Sequence, residues 1–217
     1  MKQVRLVAIG GGGFCQDTDA GMETSLLEWV GPRCKSIGFI GSASNNDPIK
    51  LNRFYARFGT GGFRLDHLQL DADISAARQW LDSQDLVYVG GGNALALLNH
   101  WHASGLDTLL IDHALKGHHI AGVSAGANIW FEHALTDASG QGLEPMNCLG
   151  LVPGSFCAHY NQEADRPPRF QSLIHSGQLK AGYGLDDGVA AVFTSNGLEK
   201  ILYARPGSAA HYVKPLL

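Results

Sequence analysis

Residues 119–128 read His-Ile-Ala-Gly-Val-Ser-Ala-Gly-Ala-Asn, so that Gly122 and Gly126 bracket Ser124 at two-residue spacing. An apolar, strand-like run precedes the serine and a helix-like run follows it. A strand that turns sharply into a helix holds the middle residue in a strained, exposed position. Glycine on each side removes the side chains that would clash in so tight a bend. The Ser124 hydroxyl then lies at a helix N-terminus, where free N–H groups and the helix dipole favour negative charge. Such a seat suits a nucleophile whose reaction builds an oxyanion. The same five residues also fit an ordinary glycine-rich turn with a capping serine.

A serine hydroxyl is a poor nucleophile until a base takes its proton. Among ten histidines, His159 is the best-placed base, in a loop-rich stretch after the apolar residues 149–153. It reads equally as a partly buried histidine with a satisfied hydrogen bond. His133 lies nine positions beyond Ser124, about 13 Å along a continuous helix and out of reach. Glu132, eight positions along, falls about 12 Å away by the same rise, and only a broken helix would readmit it. Asp137 follows the expected helix end, where the chain can fold back. It is the favoured acid, holding the imidazole tautomer and steadying the imidazolium, although it also reads as an exposed turn residue. An oxyanion needs two aligned donors. Ala125 offers one backbone N–H, and the bare backbone of Gly91 and Gly92 offers the other. Gly90–Gly92 is also a tight turn before Asn93, a helix cap and candidate substrate contact.

The elements that must position these residues alternate between strand and helix. Residues 4–9, 36–40, 63–70, 86–89 and 120–123 read as strands, and 22–30, 48–58, 74–81, 94–101 and 106–115 as helices. This rhythm predicts an α/β fold, a mostly parallel sheet with helices on both faces. Right-handed crossovers put the strand C-terminal ends on one edge. The loops at 10–13, 42–46, 90–93 and Ser124 should therefore share that edge, where open α/β sheets bind ligands. Beyond residue 136 the pattern changes. Residues 137–147 are turn-rich, 189–193 and 200–204 read as a hairpin, and 211–213 as a short strand. Asp186-Asp187-Gly188 reads as a turn into the hairpin.

With 217 residues, 45% hydrophobic and 17% charged, the chain is globular rather than disordered and is expected to form one domain over 1–217. A net charge of −4 gives no reason to expect nucleic acid as a partner. No apolar run is long enough to span a bilayer, and the start of the chain lacks the features of a signal peptide. Cys15, Cys34, Cys148 and Cys157 are scattered, which fits core filling in a reducing cytoplasm. His100 and His102 do not share a helix face, and His118 and His119 would point to opposite faces of a strand, so no metal is expected. The glycines at 10–13 do not make Gly-x-Gly-x-x-Gly, which argues against a dinucleotide.

Gly-Gly-Gly-Asn after one strand, Gly-Val-Ser-Ala-Gly-Ala after the next, and Leu-Gly-Leu followed by His-Tyr resemble the dipeptidase E and cyanophycinase family of serine peptidases over nearly the whole chain. The resemblance implies a three-layer sandwich similar to class I glutamine amidotransferases (flavodoxin-like), with serine replacing their cysteine. It implies Ser124 as nucleophile, His159 as base, the Gly91–Gly92 loop and Ala125 as oxyanion donors, and no metal or cofactor. The family's acidic member varies, which leaves Asp137 favoured over Glu132; Asp186-Asp187-Gly188 also resembles a recurring segment among these proteins, with a turn into the next strand as its plainer reading. A small peptide substrate is expected, with no nucleic-acid or membrane partner and a homodimer left open.

Dipeptidase E cleaves after an N-terminal aspartate, whose carboxylate needs a cation. Arg166 and Arg169 flank Pro167-Pro168 in the first turn of an expected helix, where cations oppose the dipole. They either fork a substrate carboxylate or pair with Glu163 or Asp165. The competing readings are an esterase-type serine hydrolase and a non-catalytic binding protein that keeps the fold.

Overall fold

The computed structural model describes residues 4–216. Along the chain come β1 (Arg5–Ile9), α1 (Gly21–Val30), β2 (Ser36–Ile40), α2 (Pro48–Phe58), β3 (Arg64–His67), α3 (Ile74–Asp82) and β4 (Leu86–Val89). Next are α4 (Ala94–Ser104), α5 (Leu106–Leu115), β5 (His119–Val123), α6 (Ala125–Asn128), β6 (Phe131–Thr136), β7 (Glu144–Asn147) and β8 (Val152–Cys157). The last are α7 (Arg166–His175), β9 (Gly182–Leu185), β10 (Val189–Thr194), β11 (Gly197–Ala204) and β12 (Ala210–Val213).

Seven strands form the central sheet in the order β11-β10-β1-β5-β4-β2-β3. The five strands from β1 to β3 in that order are mutually parallel, and the β10–β11 hairpin adds antiparallel to β1. Alternate residues of β1 serve the two faces. Leu6 and Ala8 pack with α3, α4 and α5, whereas Val7 and Ile9 pack with Met22 and Leu26 of α1 and Phe54 and Phe58 of α2. Burial on both faces is why these strands read as apolar runs rather than alternating ones. Three helices start on side-chain caps: Asp47 accepts from the Ile49 N–H, Asp73 from Ala76 and Asn93 from Ala96.

The sequence reading differs from the structure after Ser124. The expected long helix is a single turn, α6, and Glu132 and His133 lie on β6 instead. Ile129, Trp130 and Phe131 are all fully buried, and Trp130 packs on Trp101 at a ring distance of 5.7 Å. Three consecutive large apolar residues cannot all be buried on one helical face, and β-branched and aromatic residues favour extended chain. The strand they enter belongs to a second sheet, ordered β12-β9-β8-β6-β7. That sheet shares the core on the α3–α5 side, where Phe131 stacks on Phe156 at 4.4 Å and Phe193 of β10 meets both. Helix α7 covers it through Phe170, Leu173 and Ile174. The short strand near 211–213 pairs with β9 in this sheet. Among the described residues, no helix is long and apolar enough to cross a membrane.

His113 on α5 is buried, its Nε2 has no partner among the described residues, and its ring stacks on His118 at 4.0 Å. Burial, reinforced by His118, pushes its pKa down to about 4. The unfolded chain takes up this proton nearer pH 6.5, so the native state loses stability as pH falls from about 6.5 through 4, by at most about 1.4 kcal/mol per pH unit. Thermal melts at pH 7 and pH 5 should show a drop in Tm that His113→Leu reduces. An equal drop in the variant would place the acid sensitivity elsewhere.

Candidate active site

Ser124 sits between β5 and α6 with φ 55° and ψ −116°. Such a conformation costs on the order of 1–3 kcal/mol for a residue with a Cβ. Backbone bonds hold it there. The Ser124 N–H donates to the Ile9 carbonyl at 3.0 Å, and the Ser124 carbonyl accepts from Ala127 and Asn128, both at 2.9 Å. A Cβ on Gly122 would run into the Gly126 carbonyl, and one on Gly126 into the Val89 carbonyl. Close approach of backbones therefore demands both glycines of the motif.

His159 follows β8 in a left-handed conformation, φ 53°, with its N–H donating to the Gly10 carbonyl at 3.0 Å. This places Nε2 of the ring 2.8 Å from Ser124 Oγ and Nδ1 2.6 Å from Asp187 Oδ1. With the Nδ1 proton donated to the carboxylate, Nε2 keeps a lone pair for the serine hydroxyl. Asp187 is buried in the turn from β9 to β10, its N–H donating to Asn161 Oδ1 at 3.1 Å. Gly11 passes against this pair so closely that a Cβ would strike both the Asp187 carboxylate and the His159 ring.

Beside Ser124, the N–H groups of Gly91, Gly92 and Ala125 donate to no oxygen among the described residues. Gly92 and Ala125 line a cavity of about 200 Å³ that opens on Ser124 and His159. Gly91 packs against Ser124, with the position of a Cβ 3.2 Å from Ser124 Cβ. Its carbonyl accepts from Lys50 Nζ at 2.8 Å. In a trans peptide the carbonyl and the next N–H point in opposite directions, so this bond turns the Gly92 N–H away from Lys50. Gly92 thus fits the donor role better than Gly91.

Sequence reasoning expected the acid at Asp137. Asp137 is exposed and lies 3.5 Å from the Arg166 guanidinium, while Asp187 occupies the Nδ1 side of His159. Glu132 is also engaged elsewhere, accepting from Lys180 Nζ at 2.7 Å and from the Gly154 N–H at 2.6 Å, and these bonds lower its pKa. Asp187 does sit in the turn expected at 186–188. The missed signal is that this turn ends a strand of the second sheet, which the sequence pattern alone did not reveal.

Arg166 is buried at the start of α7 and lines the 200 Å³ cavity. Its guanidinium donates to Glu163 Oε1 at 3.0 Å. Burial works against its charge, but Glu163 and Asp137 more than offset this and hold its pKa above the ordinary value. Arg169 is exposed, donates to the Leu143 carbonyl at 3.3 Å and lines none of the cavities that touch Ser124. Asn93 spends its side chain on the α4 cap and on the Ala138 carbonyl, 2.9 Å away. Two residues that the sequence reading passed over do line these cavities. Buried Asn128 has an Oδ1 without a donor among the described residues, and Lys50 lies beyond the Gly91 carbonyl. Burial pushes the thiol of nearby Cys15 up to about 11 and that of Cys157 to about 12, so neither competes with Ser124 as a thiolate at neutral pH. Among the described residues, no three His, Cys, Asp or Glu side chains are grouped to hold a metal.

The chain is similar to several known proteins. The family model described as Peptidase family S51 matches residues 6–201. The chain is 37% identical over 215 residues to the uncharacterized peptidase YgaJ of Bacillus subtilis (strain 168), covering 98% of this chain and 92% of that one. It is 37% identical over 82 residues to Peptidase E of Streptomyces coelicolor, covering 37% of this chain and 34% of that one. Among solved structures, a candidate peptidase E protein from Listeria monocytogenes EGD-e superposes with a TM-score of 0.70 at 20% identity, over 91% of this chain and 98% of that one. A peptidase from an acI-B1 Actinobacterium also gives 0.70, at 16% identity over 97% and 95%. The fold is accordingly the flavodoxin-like, class I glutamine amidotransferase-like three-layer sandwich.

The hydrogen-bond chain predicts that Ser124 is chemically activated. A fluorophosphonate probe should label the protein once, at Ser124, and Ser124→Ala should abolish labelling. Asp187→Asn should slow labelling by at least about a hundredfold, because it removes the carboxylate that fixes the imidazole tautomer. Asp137→Asn should slow labelling at least about tenfold less than Asp187→Asn, because Asp137 contacts Arg166 rather than the His159 ring. Mass-spectrometric labelling rates decide it, and equal slowing by both aspartate variants would contradict the assignment.

Proposed function

The chain belongs to peptidase family S51 and is a serine peptidase, and we propose that Ser124, His159 and Asp187 carry out its hydrolysis of short peptides. One observation carries this reading: Asp187, His159 and Ser124 are joined in series at 2.6 and 2.8 Å, beside the N–H groups of Gly92 and Ala125. His159 takes the Ser124 proton through Nε2 as Oγ attacks the substrate carbonyl. The oxyanion forms against the Gly92 and Ala125 N–H groups, which border the Ser124 cavity and have no other acceptor among the described residues. Asp187 holds the tautomer and stabilises the imidazolium. His159 then passes the proton to the departing amine, the acyl group remains on Ser124, and water releases it by the same route in reverse.

The cavity of about 200 Å³ next to Ser124 is lined mostly by polar groups and suits a short, polar portion of a substrate. Dipeptides with an N-terminal aspartate are the finer substrate reading. The local similarity to Peptidase E supports it, as does the presence of cations at the cavities that touch Ser124, Arg166 at one and Lys50 at the other, whereas Arg169 lines neither. A silent binding protein is the less favoured alternative, because the strained serine coincides with an imidazole at 2.8 Å that is itself hydrogen-bonded to a carboxylate.

Purified protein should cleave members of a panel of Asp-X and other dipeptides, and Ser124→Ala should lower kcat/KM by about 10³-fold or more. Hydrolysis that survives this substitution would remove Ser124 as the nucleophile.

A further inference from the structure

We propose that Lys50 is the carboxylate-binding group of the substrate site, a proposal that rests on the peptidase reading above and names the charge its substrates must carry. Helix α2 presents Lys50, Arg53 and Arg57 at spacings of three and four, so the three cations share one face. Arg57 is neutralised by Glu23 at 2.6 Å and Asp17 at 3.4 Å. Arg53 donates to the Cys15 carbonyl at 2.9 Å and Lys50 to the Gly91 carbonyl at 2.8 Å. Among the described residues, neither Lys50 nor Arg53 has a carboxylate within 4.0 Å. Lys50 also lies in the first turn of α2, where the helix dipole opposes a cation. Its charge is thus left without compensation by the fold.

That charge borders the reaction centre. A cavity of about 230 Å³ touches Lys50, Gln16, Gly92, Ser124 and His159, and no carboxylate lines it. An ammonium has three donors, and the Gly91 carbonyl takes one of them. The cavity on the other side of Ser124 has the opposite balance. Arg166 there faces both Glu163 and Asp137, one positive charge against two negative. A substrate carboxylate entering beside Arg166 meets two like charges, and one entering beside Lys50 meets none. The Lys50 side therefore takes the carboxylate, and Arg166 acts as counter-ion to its own neighbours. A free dipeptide brings a terminal carboxylate, and an aspartyl dipeptide brings a second one on its side chain. Both offer the same chemistry to Lys50.

Calorimetric titration separates these sources without relying on turnover. Asp-Leu, Ala-Leu and Asp-Leu amide are titrated into Ser124→Ala, Ser124→Ala/Lys50→Met and Ser124→Ala/Lys50→Arg, with Tm recorded for each protein. Lys50→Met should weaken Asp-Leu by about tenfold or more, and Lys50→Arg, which keeps the charge, by no more than about threefold. An effect that vanishes for Ala-Leu assigns the side-chain carboxylate, and one that vanishes for the amide assigns the terminal carboxylate. Either result supports the proposal. Equal weakening of all three ligands, no weakening, or no binding of Asp-Leu to Ser124→Ala would overturn it. Peptide hydrolysis retained by Ser124→Ala would instead refute the catalytic reading and leave the binding comparison standing.

Discussion

The 2.8 Å hydrogen bond between Ser124 and His159 joins two sheets that fold from different parts of the chain. Ser124 leaves the central sheet at the end of β5, His159 leaves the second sheet at the end of β8, and Asp187 sits where the chain passes from the second sheet back to the first. Neither sheet holds a working constellation by itself. Their relative placement is fixed by apolar contact, with Phe131 and Phe156 packed on Phe193, and by backbone bonds across the seam. The His159 N–H reaches the Gly10 carbonyl and the Gly188 N–H the Gly11 carbonyl. A shift of about 1 Å between the sheets would break the proton path.

This seam gives the glycine run after β1 a physical role. Its pattern does not fit a phosphate cradle, and the structure gives it a different task. Gly10 and Gly11 let the first loop lie flat against the Asp186–Asp187 turn and the His159 ring, and any side chain at Gly11 would push the acid and the base apart. Strain at Ser124 and the left-handed backbone at His159 are held by bonds to the same loop and the strand before it, through the Ile9 and Gly10 carbonyls. Stability invested in the seam is thus what preorganises the site.

The parallel half of the fold was legible because its signals are local. Buried runs such as Ser36–Ile40 and Leu86–Val89, capping residues Asp47, Asp73 and Asn93, and the glycine turns all report on their immediate neighbours. The loops after β1, β2, β4 and β5 meet on one edge as that rhythm requires, with the Gly90 N–H bound to the Ile40 carbonyl and the Asn93 N–H to the Ala43 carbonyl. The serine turn and His159 were legible for the same reason. The carboxylate beside His159 was not, because Asp187 differs from Asp137 only in what the second sheet brings near it. Its short strands, β7 and β9 of four residues each, carry little periodic signal of their own. Lys50 was equally hidden, since a lysine on an amphipathic helix is ordinarily solvated and only the Gly91 contact distinguishes it.

The central claim is that the bend at residue 124 presents a hydroxyl that becomes covalently acylated. Acid quenching during turnover of a slowly deacylating ester, followed by peptide mapping, tests it most directly. The account predicts that the peptide containing residues 119–133 gains the mass of the acyl group, with fragmentation placing it on Ser124. Steady turnover of that ester with no acyl group on Ser124 at any quench time, or with the group on another residue, would contradict it.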